Sequence, residues 1–110
     1  MAFIAAEVAN EIGVKTKSVV EAVKRHDADL ANQIYRAAKS VVLNTAEGVR
    51  RFGRDRNYSF RIAAGSCAEL LAGVKLAIGW GYCAAQPELL ALCDRELAML
   101  WKLEHATPRR

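Results

Sequence analysis

NQIYRAAKSVVLNTAEGVRRFGRDRNYSFR, residues 32–61, decides how this chain folds. In its first half Arg36, Ser40, Asn44 and Glu47 step by four, four and three, the spacing of one helical face. Leu30, Ile34, Ala38, Val41, Thr45, Val49 and Phe52 step by three or four on another, apolar face. The pattern predicts a helix over 30–52. Gly48 and Gly53 punctuate its end, and either suits the residue just past a helix. Asp55 is the expected N-cap of a third helix over 56–83.

That third helix carries Tyr58, Ile62, Leu70, Val74, Leu76 and Ile78 as its larger apolar residues. It also carries two rows of small residues, Ala64, Ala68, Ala72 and Gly65, Gly73, Ala77, Gly81. An interior glycine costs about 1 kcal/mol relative to alanine. The rows therefore predict close approach of another helix. Outward in the other direction, Val8, Ile12, Val19 and Val23 predict a first helix over 2–25. The turn His26-Asp27-Ala28-Asp29 follows, with Asp27 or Asp29 as a cap. Pro87 suits a first helical position and opens a fourth helix over 87–105. Its apolar face holds Leu89, Leu92, Cys93, Leu97, Leu100 and Leu103, broadened by Leu90 and Trp101. The prediction is an all-α fold: a single-domain antiparallel up-down-up-down four-helix bundle over 1–106, with a loose tail at 107–110.

The composition fits such a domain: 110 residues, 53% hydrophobic and 25% charged. The net charge of +4 is unevenly placed. Residues 36–61 hold seven basic and two acidic side chains, a balance of +5, and the rest of the chain holds nine and ten, a balance of −1. A local basic field attracts polyanions in a salt-sensitive way. Arg50, Arg51, Arg54, Arg56 and Arg61, with Lys39, are the candidate nucleic-acid contacts, and Phe52 and Tyr58 are interleaved with them. Arginine grips phosphate bidentately, and an exposed ring stacks on a base.

The stripe Arg36, Ser40, Asn44 and Glu47 meets Arg61, Ser66 and Glu69 in a hairpin that turns near Arg54. Residues whose numbers sum to about 108 then share a level. Lys39 is expected to face Glu69, and Glu47 to face Arg61. We read Arg36, Ser40, Asn44, Glu47, Ser66 and Glu69 as a structural polar network fixing register. The competing reading, two carboxylates at work in a cleft, is weakened by the cation beside each.

No catalytic residue is nominated, and the chain is expected not to be an enzyme. His26 and His105 lack partners at metal-ligand spacing, so neither metal nor cofactor is expected. Cys67, Cys83 and Cys93 are odd in number and form no CxxC. They read as reduced, small core residues of a cytoplasmic protein. The N-terminus lacks a basic lead, which argues against a signal peptide. No apolar run approaches the length of a membrane span, so no membrane partner is expected.

Three linked motifs carry a resemblance: Leu30-x-x-Gln33-x-x-Arg36-Ala37-Ala38-x-Ser40-Val41, then Asn44-x-Ala46-Glu47-Gly48, then Phe60-x-Ile62-Ala63-x-Gly65-Ser66-x-x-Glu69-Leu70. They resemble the four-helix-bundle family of 23S rRNA intervening-sequence proteins, itself similar to the accessory variability protein of diversity-generating retroelements. Here Val42 stands where the family often has proline, which implies a straighter second helix. The resemblance implies a homo-pentamer with a basic surface. In the retroelement relatives that surface is associated with nucleic acid and a reverse transcriptase. It supplies no catalytic residues, and it makes Glu47 and Glu69 structural. The expected function is thus that of a non-enzymatic oligomeric accessory protein binding RNA or DNA non-specifically. The alternative is a scaffold for an acidic protein or a reverse transcriptase.

Overall fold

Four helices account for nearly all of the computed structural model, which describes residues 1–106: α1 (Ala2–Lys24), α2 (Ala28–Arg50), α3 (Gly53–Gly79) and α4 (Pro87–Glu104). The expected tail at 107–110 lies outside the described residues. Each helix runs antiparallel to the one before it. α1 packs on α2 and α4, and α3 packs on the same two, so α1 faces α3 and α2 faces α4 across the diagonals. The bundle is long and narrow, 50 × 22 × 18 Å. The N-terminus, the α2–α3 turn and the end of α4 share one end. The α1–α2 and α3–α4 turns share the other.

Local chemistry sets the helix boundaries. The Asp27 side chain accepts a bond from the Leu30 N–H at 2.9 Å and caps α2, as anticipated. The start of α3 differs from expectation. Gly53, at φ +60°, turns the chain so that Phe52 is the N-cap, and Asp55 falls in the first turn. There its charge complements the helix dipole. α3 also stops four residues short of the predicted Cys83. The Gly81 N–H bonds Ile78 O at 3.0 Å and the Tyr82 N–H bonds Ala77 O at 2.8 Å, with Gly81 at φ +77°. This paired return satisfies the last carbonyls and ends the helix. Cys83 is consequently a half-buried turn residue, while Cys67 and Cys93 are fully buried.

The core has two parts. A larger cluster runs from Val8 through Ile34, Val41, Leu70 and Val74 to Cys93. A smaller one at the α2–α3 end joins Ala5, Phe60, Ala63, Leu100 and Leu103. Phe60 is wholly buried, and burying a side chain of that size contributes about 1.5–3 kcal/mol. Gly48 makes room for it. It is not the α2 terminator that its sequence position suggested but a buried helical residue, where an added Cβ would lie 2.5 Å from the Phe60 ring.

Two aromatic residues assigned to apolar faces, Phe52 and Trp101, turn outward. Phe52 is 87% exposed, and Tyr58 and Trp101 are also exposed. The small-residue rows divide as well. A Cβ added at Gly73 would lie 3.0 Å from the Ile34 side chain, a close interhelical approach, whereas one added at Gly65 would meet open space. One further expectation fails: α3 is long and apolar enough, by length and composition, to cross a membrane. Its alanines and glycines raise the mean hydropathy without forming a run of large apolar residues, and the exposed Glu69 and Lys75 interrupt it. Seven of its residues, Phe60 and Leu70 among them, are buried within the bundle.

Candidate nucleic-acid interface

The basic residues around the α2–α3 turn do not act alike. Arg51, just past α2, donates to Glu47 Oε2 at 2.9 Å along one helical turn. Arg61, on α3, donates through Nε to Glu104 Oε2 of α4, also at 2.9 Å. The predicted Glu47–Arg61 pair is therefore replaced by two others. The hairpin sets the level of the two residues, but Arg61 lies on the flank of α3 turned toward α4. Arg56 is half-buried, with its guanidinium 5.3 Å from the centroid of the Phe60 ring. Arg50 and Arg54 are exposed and have no carboxylate partner among the described residues.

Lys39 sits well down α2 from this group. Its Nζ lies 4.8 Å over the Tyr35 ring and 3.4 Å from the Tyr35 hydroxyl. It does not meet Glu69, and it does not join the arginines. Four of the six exposed aromatic rings lie at the arginine end, Tyr35 and Trp80 being the others. Phe3 opens α1, Phe52 and Tyr58 follow the turn, and Trp101 ends α4. The Trp101 ring stacks on His105, with centroids 4.1 Å apart. The other histidine, His26, stacks on Tyr82 at the far end of the bundle.

Half of the anticipated polar network is present. Ser40 and Ser66 share a 2.6 Å hydroxyl bond between α2 and α3. Asn44 donates from Nδ2 to the Ser40 carbonyl at 3.0 Å and to its hydroxyl at 3.1 Å. Arg36 and Glu69 are exposed, and neither forms an ion pair among the described residues. Register is thus held by neutral groups, with the charged members turned to solvent.

Sequence reading missed Glu96. It is wholly buried on α4, where its spacing continues that of Leu89, Cys93, Leu100 and Leu103. That placement, a carboxylate in line with an apolar row, was the available signal. Burial pushes its pKa from 4.5 up to about 7, against the hydrogen bond from Thr45 and the charge of Arg95. Nearby, the Cys67 thiol donates to the Cys93 carbonyl at 3.5 Å. Its bonding with Cys93 and its burial hold Cys67 as a neutral thiol.

The chain is a small, all-helical protein folded as an antiparallel four-helix bundle. A family model described as 23S rRNA-intervening sequence protein matches residues 3–102. The chain belongs to that family. No curated protein and no solved structure matches it.

Proposed function

We propose that this protein is a non-enzymatic accessory factor that binds RNA or DNA, without sequence preference, through the α2–α3 end of the bundle. The observation carrying this reading is the pair Arg50 and Arg54, exposed at that turn and free of carboxylate partners among the described residues. Free guanidinium groups bind phosphate and release its counterions. The narrower basic group, two free arginines in place of six cations, makes the affinity of one subunit modest.

Assembly raises it. The proposed unit is a homo-pentamer, a number taken from the family resemblance. An apolar groove between α1 and α2, lined by Gly13, Val14, Val20, Tyr35, Val42 and Leu43, offers a face for the contact. Val14 and Leu43 are large apolar side chains left exposed on it. Repeated around a ring, a weak basic end becomes multivalent.

The test is titration of labelled RNA and DNA at two salt concentrations, with light scattering on the same samples. Binding that weakens steeply with salt and is lost in Arg50→Glu/Arg54→Glu supports the reading. Absence of binding at low salt overturns it, as does indifference to the charge reversal. In that event a protein recovered in a nuclease-treated pull-down by the wild type but not by the reversal variant points to an acidic protein partner. A monomer at micromolar concentration removes the pentamer and its multivalency.

A further inference from the structure

We infer that the nucleic acid held at this end is single-stranded, its bases stacking on Tyr58 and Trp101. The inference rests on the proposal above that the α2–α3 end binds nucleic acid. It is carried by the arrangement of two side-chain rows. On α3, Arg54, Tyr58 and Arg61 fall at i, i+4 and i+7, one row on a helical surface. All three are exposed. On α4, Trp101 and Glu104 are three residues apart, and Trp101 stacks on His105. The 2.9 Å bond from Arg61 to Glu104 ties the rows together across the α3–α4 seam.

The result is a strip in which a cation, Arg54, and two rings, Tyr58 and Trp101, lie on either side of a neutral ion pair. Tyr58 is 61% and Trp101 60% exposed. One face of the Trp101 indole stacks on the His105 imidazole, and the ring as a whole stays largely open to solvent. Neither ring is needed by the core, whose α3 and α4 members are Phe60, Ala63, Leu100 and Leu103 at this end. Exposed rings alternating with arginine make a stacking platform for unpaired bases, and this recognition tolerates any sequence because every base has a π-face. A duplex cannot use it, since its bases are already stacked on one another. Tyr58 precedes Arg61 on α3 and Trp101 precedes Glu104 on the antiparallel α4, so the two rings lie at different levels on opposite sides of the Arg61–Glu104 bond and offer separate stacking faces. RNA and DNA offer the same faces, and the 2′-hydroxyl alone separates them.

The experiment titrates the full-length protein with a labelled single strand of RNA, the same strand as DNA, and each as a duplex, at two salt concentrations. The expected result is tighter binding to single strands than to duplexes. Tyr58→Ala and Trp101→Ala should each weaken single-strand binding about tenfold, by the same factor at both salt concentrations, and Tyr58→Phe should retain it. Circular dichroism checks that the variants fold, as the exposure of both rings predicts. In Trp80→Phe, which leaves Trp101 as the remaining tryptophan, fluorescence should be quenched by the single strand. Equal binding of duplex and single strand, with both alanine variants unchanged and Arg50→Glu/Arg54→Glu abolishing it, overturns the stacking inference and leaves the basic-end reading standing. No binding of any probe at low salt overturns both.

Discussion

Thr45 and Glu96 meet across the diagonal of the bundle, α2 to α4, with the Thr45 hydroxyl donating to Glu96 Oε2 at 3.5 Å. Glu96 Oε1 has no partner at all among the described residues. The pair sits at the seam between the two core clusters, one turn past Cys93 and one turn before Leu100. A buried carboxyl with one long bond favours its protonated form.

That geometry predicts how stability depends on pH. The folded pKa of Glu96 is about 7, above its ordinary 4.5. The native state therefore binds the proton more tightly than the unfolded chain, and this contribution to stability falls as pH rises from about 4.5 through 7. The difference corresponds to about 3 kcal/mol across the window. Glu96→Gln keeps the shape and removes the titration. Its denaturant midpoint should exceed that of wild type at pH 8, and the wild-type decline should disappear. An equal decline in both proteins would show that another group is responsible.

Gly48 and Gly65 should respond to alanine with opposite signs. Both are helical, so alanine should help each by about 1 kcal/mol on propensity alone. At Gly48 the new methyl meets the buried Phe60 ring at 2.5 Å. Overpacking of that kind costs about 1–3 kcal/mol. Gly48→Ala should therefore lower the melting temperature, and Gly65→Ala, with open space around it, should raise it. Thermal unfolding of the two variants at one protein concentration decides the matter.

The hydroxyl pair Ser40–Ser66 should show a measurable coupling. Ser66→Ala removes one partly buried bond and should cost about 1 kcal/mol. Ser40→Ala should cost more, because Asn44 also bonds that hydroxyl. A double-mutant cycle in urea isolates the pairwise energy. Strictly additive effects would mean that the pair does not help to hold the α2–α3 register.

These contacts mark what could be read from the chain. The helix count, the antiparallel order and the α2–α3 level were legible, because apolar spacing and turn chemistry are local. The summed level near 108 places Gly48 against Phe60 and Ser40 close to Ser66, as found. Which flank a residue occupies was not legible. Arg61 was assigned to Glu47 and instead reaches Glu104, because the identity of its second neighbour depends on where α4 packs. The exposure of Trp101 was missed for the same reason: an aromatic in an apolar periodicity looks like core until the helix is rotated into place. Glu96 was concealed by the converse, a charged residue standing at an apolar position.

The same pairing predicts which arginines carry binding. Arg54 is free to neutralise a phosphate, so Arg54→Gln should weaken RNA and DNA binding and lower the salt slope by about one unit. Arg51 is already engaged by Glu47 at 2.9 Å. Exposed pairs of this kind contribute well under 1 kcal/mol, so Glu47→Gln should leave the fold intact while freeing Arg51 and removing a repulsive charge. Low-salt affinity should then rise, and the slope should steepen. Titrations of wild type, Arg54→Gln and Glu47→Gln over a series of salt concentrations give all three slopes. An unaltered slope in Arg54→Gln would place the phosphate contacts elsewhere on the bundle.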